Sequence, residues 1–216
     1  MNENRIEKKF VLGKYEDDLI KKILTISGFK KSFPSRYISS IYLDTLNFDF
    51  AKDNINGVGK RKKLRFRWYN QDYKNVYLEE KNKQNFVVKK NINLLKNFQS
   101  KDKLVENLKD YFFIKDKKYK QFNYKFILKT NYLRSYWISD NRKIRATIDT
   151  NINTSPINDL SRRLDLSETI LEFKFSPSYE TFFRNFFYKK NFNLRSKKYS
   201  KYLQSFNLLD DSNLII

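Results

Sequence analysis

The sequence predicts an α+β fold dominated by antiparallel strands. Three observations carry this. Several short stretches alternate apolar and charged residues with period two, Asn, Asp and Gly punctuate the gaps between them, and helical apolar spacing is confined to a few segments.

Residues 5–12 alternate and predict a first strand, with Ile6, Phe10 and Leu12 as the apolar members around Glu7, Lys8 and Lys9. Residues 15–27 place Leu19, Ile20, Ile23, Leu24 and Ile26 at helical spacing. Glu16, Asp17 and Asp18 stand in the first turn and Gly28 just past the end, so a helix is predicted there. The region 37–95 reads as successive strands, "YISSIYLDT", "KKLRFRWY", "VYLEEKNK" and "FVVKKNINL", spaced as an antiparallel meander. A helix over about residues 101–113 follows, with Ser100 as its N-cap. Then "FILKTNYLRSYWIS", the turn "DNRK" and "IRATIDTNI" predict a hairpin, and "TILEFKFS" a further strand stopped by Pro177. The C-terminal stretch from Ser178 to Phe206 reads as one or two helices rich in Phe, Tyr and Lys. With no linker and no repeat, residues 1–216 read as a single domain.

Composition narrows the chemistry. The 216 residues contain no Cys and no His, which excludes disulfides, thiolate or imidazole metal sites and Cys/His or Ser/His nucleophile pairs. Catalysis must then use carboxylates, Lys, Arg, Tyr or a hard oxygen-bound cation. The 45 Lys and Arg against 24 Asp and Glu give a formal charge of +21 and point to an anionic partner: nucleic acid, a phosphorylated small molecule or an anionic membrane face. No apolar run reaches membrane-spanning length and the polar start is no signal peptide, so a cytoplasmic protein is expected.

Several strands set charged residues two or four apart, opposite the large apolar ones: Glu7 with Lys9, Arg65 with Arg67, Glu79 with Lys81 and Lys83, Arg145 with Asp149, and Glu172 with Lys174. Like charges about 6.6 Å apart on one strand face repel by roughly 0.6 kcal/mol in water and ~2.5 kcal/mol at an effective dielectric near 20. An open, solvated sheet face tolerates this. An enclosed one requires interleaved carboxylates or a bound polyanion, and carboxylates are interleaved here.

The ordered series "EKKF", "SIYLDT", "KLRFRWY", "YLEEKNK", "IRATIDT", "ILEFKF" and "SKKYSKY" resembles the motifs of VTC domains, the polyphosphate polymerase branch of the triphosphate tunnel (CYTH-like) superfamily. The resemblance implies an antiparallel eight-stranded β-tunnel, or barrel, flanked by helices. Its basic wall grips triphosphate or polyphosphate, with a divalent ion, Mn2+ or Mg2+, on acidic residues. By position, Lys9, Arg65, Arg67, Lys81, Arg134, Arg145 and Lys198 match the family's phosphate-binding residues and Glu172 its metal-coordinating glutamate. Arg65, Arg67, Lys81 and Glu172 are the expected catalytic set. The terminal motif carries an extra lysine, so Lys197 and Lys198 are interchangeable in that role.

The expected activity is transfer of the terminal phosphate of ATP to a growing polyphosphate chain. Hydrolysis of tripolyphosphate or nucleoside triphosphate in the same tunnel, non-catalytic polyphosphate binding, and nucleic-acid binding through the aromatic and basic C-terminal stretch remain open alternatives. So do the roles of four acids. Asp44 either fixes a turn or meets metal, Asp149 either faces the site or closes the hairpin, and Glu7 and Glu79 either ligate metal or balance neighbouring charge.

Overall fold

Alternation builds most of the secondary structure. The computed structural model describes residues 5–14, 16–85, 87–96, 98, 103–115, 119, 123–189 and 194–215. Nine strands lie among them: β1 (Ile6–Gly13), β2 (Phe29–Thr45), β3 (Lys60–Tyr69), β4 (Asn75–Gln84), β5 (Val87–Lys96), β6 (Tyr124–Ser139), β7 (Arg145–Pro156), β8 (Leu164–Asp165) and β9 (Glu168–Phe175). The helices are α1 (Asp17–Ile26), α2 (Asp49–Ile55), α3 (Leu104–Asp110), α4 (Glu180–Lys189) and α5 (Lys201–Asp211). The fold is α+β with antiparallel strands flanked by helices, as the sequence predicts. No helix among the described residues is long and apolar enough to cross a membrane.

The chain forms two compact units. The first comprises Met1–Tyr37, Tyr132–Asn153 and Asp165–Ser200, and the second Ile38–Asn131, Thr154–Leu164 and Lys201–Ile216. In the first, the strand order is β1, β9, β7 and then the second half of β6. Leu171, Phe173 and Phe175 of β9, with Phe10, Leu12, Ala146 and Ile148, build its core. Helix α1 adds Ile20 and Leu24 but leaves Leu19 and Ile26 exposed, so only part of its apolar set faces inward. Phe183 of α4 stacks on Phe175 with centroids 4.5 Å apart. Gly28 ends α1 at φ 81°, where a Cβ would meet Asp140 Oδ2 at 2.9 Å, so the position admits little but glycine.

In the second unit, the later part of β2 pairs with β3, and β3, β4 and β5 form the predicted meander. Leu64, Phe66 and Trp68 alternate into a core shared with Ile41, Leu78, Leu108, Phe112, Phe206 and Leu209. Phe112 sits at its centre, stacked 4.7 Å from Tyr119 and packed edge-on against Phe66.

Three boundaries differ from expectation. Strand β2 begins at Phe29, well before Tyr37, and tolerates Pro34 because residues 30–35 are exposed and the missing N–H costs little. The predicted helix over 101–113 is α3 followed by a wider turn, Tyr111–Lys115, and its proposed cap Ser100 lies outside the described residues. Helix α2 was not predicted. It depends on Asp44, whose buried carboxylate accepts the N–H of Thr45 at 2.7 Å, of Phe50 at 2.8 Å and of Ala51 at 3.0 Å, and the hydroxyl of Tyr202. Asp44 therefore fixes the start of a helix and ties α5 to it. Replacing it strands three N–H donors and a phenol in the core. Asp44→Ala is expected to lower the unfolding free energy by about 3 kcal/mol, read from urea denaturation, with Asp44→Asn losing less.

Candidate functional site

Each unit carries a charged strand face with buried carboxylates among its cations, Glu79 in the second unit and Glu172 and Asp149 in the first.

In the second unit, inward Leu64, Phe66 and Trp68 force Lys63, Arg65 and Arg67 to the opposite side of β3. Register places Glu79 directly opposite Arg65, with Tyr42 on the other flank. The Glu79 carboxylate accepts from Arg65 Nε at 2.7 Å and Nη2 at 2.6 Å, and from Lys90 Nζ at 2.9 Å, with Arg67 Nη1 at 3.6 Å. Tyr42 and Ser40 hold the remaining sides of the two arginines, at 3.0 Å from Arg65 Nη1 and 3.4 Å from Arg67 Nε. One position further along the same face, Lys63, Lys81 and Lys90 lie side by side on three consecutive strands. The face thus carries five cations, three of which, Arg65, Arg67 and Lys90, meet Glu79.

Burial raises the Glu79 carboxyl, but Arg65, Arg67 and Lys90 overcome that and hold it at about 2. Lys90 moves down, because burial and the charges of Arg65 and Arg67 outweigh the pull of Glu79. Arg67 and Glu79 are only 7% and 4% exposed, which a sheet face open to bulk water does not produce. At such burial, cations about 5 Å apart on neighbouring strands repel by roughly 3 kcal/mol at an effective dielectric of 20, so an excess of this kind is suited to a polyanion.

In the first unit, register sets Lys9, Glu172 and Thr147 in one row across β1, β9 and β7, and Glu7, Lys174 and Arg145 in the next. Glu172 pairs with Lys174 at 3.0 Å. Burial raises its carboxyl too, and Lys174, Lys9 and Arg134 together hold it at about 2. Arg134 on β6 is gripped by Asp149 through two parallel bonds of 2.6 and 2.7 Å. Asp149 is fully buried and faces this cluster; the β6–β7 turn is closed instead by Ser139, whose hydroxyl accepts the N–H of Ile144 at 3.0 Å. Arg145 is exposed, opposite Lys174.

The C-terminal motif is sewn to β1. The N–H of Lys197 donates to the carbonyl of Lys9 at 2.9 Å, and Lys9 Nζ donates to the carbonyl of Tyr199 at 3.0 Å. Lys198 sits between these two tethers with its side chain exposed, as does that of Lys197.

A divalent ion is tested by the donors present. Among the described residues no three acidic side chains converge on one point. Glu172 is nevertheless ionised, and across from it the buried hydroxyl of Thr147 has no hydrogen-bond partner among the described residues. That donor set fits a hard cation that keeps most of its coordination for phosphate oxygens, rather than one caged by protein.

Of the expected residues, Arg65, Arg67 and Lys81 share the face of the second unit, and Lys9, Arg134 and Glu172 cluster in the first, with Arg145 one row away and Lys198 beside Lys9. Sequence reasoning missed Lys90 as a partner of Glu79, Lys63 as a neighbour of Lys81, and the Arg134–Asp149 pair. Only the strand registers reveal them.

Both carboxyls have an ordinary value of 4.5 and a folded value of about 2. The stability they contribute is complete above about pH 4.5 and is lost as pH falls toward 2, at about 3 kcal/mol for each. Denaturant midpoints are expected to stay level from pH 7 to 5 and drop steeply below. Glu79→Gln is expected to flatten that drop.

Comparison with known proteins bears on this geometry. A search of curated proteins finds no match. Among solved structures, a candidate adenylate cyclase from Bacillus halodurans matches with TM-score 0.56 and 16% identity over 92% of this chain and 95% of its own. A candidate adenylyl cyclase from Hippeastrum, described as having a dominant triphosphatase activity, matches with TM-score 0.55 and 13% identity over 98% and 97%. The PH1819 protein of Pyrococcus horikoshii matches with TM-score 0.53 and 14% identity over 95% and 99%. These likenesses are of fold, and the tunnel-like fold that the sequence motifs imply matches them. The model of the VTC domain matches residues 4–210, nearly the whole chain, and the chain belongs to the VTC domain family.

Proposed function

We propose that this protein is a metal-dependent enzyme that binds ATP and inorganic polyphosphate and transfers the terminal phosphate of ATP to a growing polyphosphate chain. The observation that carries the ligand class is the placing of Lys63, Arg65, Arg67, Lys81 and Lys90 on one strand face, with Arg65, Arg67 and Lys90 meeting the buried carboxylate of Glu79. Such a face holds closely spaced negative charge along a strand and offers nothing to a neutral ligand.

The reaction suits a site without Cys or His. A terminal oxygen of the acceptor chain attacks the γ-phosphorus of ATP, the bond from that phosphorus to the β,γ-bridging oxygen breaks, and ADP leaves with the electron pair. The chain supplies position and charge: Arg65, Arg67 and Lys81, fixed on paired strands, stabilise charge developing on the phosphoryl oxygens. Lys9, Arg134, Arg145 and Lys198 serve as further phosphate contacts, Arg134 being oriented by Asp149. Glu172 holds the divalent ion, Mn2+ or Mg2+, which when bound neutralises charge on the phosphate oxygens. Glu79 keeps Arg65 and Arg67 ordered and is a positioning residue.

Hydrolysis is the second reading, favoured by the triphosphatase activity described for the Hippeastrum protein of like fold. The two differ only in whether water or a phosphate chain presents the attacking oxygen.

Incubation with ATP and Mn2+ is expected to give ADP and long polyphosphate, resolved by gel electrophoresis; orthophosphate without polymer would replace the transferase reading with the hydrolase one. Glu172→Ala is expected to reduce turnover at least ~100-fold while tripolyphosphate still binds, measured by calorimetry. Undiminished turnover would remove Glu172 as the metal ligand. Arg65→Ala/Arg67→Ala is expected to abolish tripolyphosphate binding and leave the far-ultraviolet circular dichroism unchanged, since the apolar side of β3 is untouched.

A further inference from the structure

The first half of β2 sets an aromatic side chain in water. Phe33 is 58% exposed, although the core of the same unit takes up Phe29, Trp137 and Phe173. The ring does not stand alone. It meets Tyr136 of β6 edge-on, with centroids 6.2 Å apart, and the guanidinium of Arg36 lies over both rings, 5.1 Å from the centroid of Phe33 and 4.9 Å from that of Tyr136. Two rings thus hold a half-buried arginine in place while Phe33 stays open to solvent. The surrounding segment FKKSFPSRY, residues 29–37, has no Asp or Glu, and its Lys30 and Lys31 are exposed.

The cluster adjoins the charged face of the first unit, to which all of its residues belong. Trp137 enters the core, so Tyr136 points to the other side of the sheet, the side on which Asp149 grips Arg134 near Glu172. Tyr136 and Arg134 are two residues apart on β6, about 6.6 Å along the strand.

An open aromatic ring beside a guanidinium held flat by its neighbours suits a planar ring system that carries negative charge nearby. A nucleobase joined to phosphates has that chemistry, whereas an inorganic phosphate chain has the charge and no ring. We infer that Phe33, Arg36 and Tyr136 form a stacking subsite for the base of a nucleoside triphosphate, which distinguishes the nucleotide from inorganic tripolyphosphate. This rests on the reading of the protein as an enzyme that binds ATP. Phe33 supplies the stacking surface, Arg36 a planar cation, and Tyr136 orients Arg36 from the strand that carries Arg134.

The test uses the full chain with Mn2+ and two probes titrated by calorimetry: an ATP analogue that resists cleavage between its β- and γ-phosphates, and tripolyphosphate. Phe33→Ala, at an exposed position, is expected to weaken the analogue ~10-fold while tripolyphosphate affinity stays within about twofold. Phe33→Trp keeps an aromatic face there and is expected to bind the analogue as the unmodified protein does. Unchanged analogue affinity in Phe33→Ala, equal weakening of the two probes, or the same loss in Phe33→Trp as in Phe33→Ala overturns the subsite and leaves the triphosphate reading standing. Binding of neither probe by the unmodified protein overturns that reading and the subsite with it.

Discussion

Everything distinctive in this protein follows from burying carboxylates among more cations than they can neutralise. Glu79 and Glu172 are each taken largely out of water, which by itself favours the protonated acid, and each remains ionised because arginine and lysine surround it. An isolated buried charge is among the costliest features a fold can hold, and a paired one is tolerated only where geometry is well satisfied. The short contacts of Arg65 with Glu79 and of Arg134 with Asp149 meet that condition. On the proposed reading, the basic side chains of these faces are what an incoming polyanion meets.

The two faces are alike in construction and differ in what they offer. On β3 to β5 the excess is a graded row of Lys and Arg along the strand direction, suited to an extended chain of phosphates. On β1, β9 and β7 the cations are divided between Asp149 and Glu172, and a Thr147 hydroxyl without a hydrogen-bond partner among the described residues stands across from the latter. That smaller, more balanced cluster suits a hard cation and the oxygens it carries. Both faces are backed by aromatic-rich cores whose edge-on and stacked rings hold the strands in fixed register, so the long basic side chains act from rigid bases.

Asp44 shows how the same chemistry serves structure. Buried like the site carboxylates, it is surrounded by N–H groups and a phenol in place of cations, and it organises α2 and α5. An acid in a strand motif is therefore read by its neighbours: donors from the backbone mark a structural anchor, and guanidinium and ammonium groups mark a charged strand face. Asp149 and Glu79 fall on the second side of that division through Arg134 and Arg65.

The sequence by itself determined the fold class, the positions of most strands and the face each charged residue occupies. Period-two alternation in "KLRFRWY" or "ILEFKF" is a local property: once Phe66 or Phe173 is buried, Arg67 or Glu172 has nowhere else to point. The ordered motifs also carried the family. What only the tertiary structure decided was company. That Lys90 reaches Glu79, that Asp149 clamps Arg134 and that Arg61 faces Lys83 all depend on how strands are set against one another, and a one-residue slip would pair different charges while keeping every strand intact; that Lys198 is held beside Lys9 depends on the tethers of an irregular segment to β1. Helix α2 escaped the sequence for the same reason, because its first N–H groups are capped by Asp44, an acid that lies outside the helix and reads locally as the end of a strand.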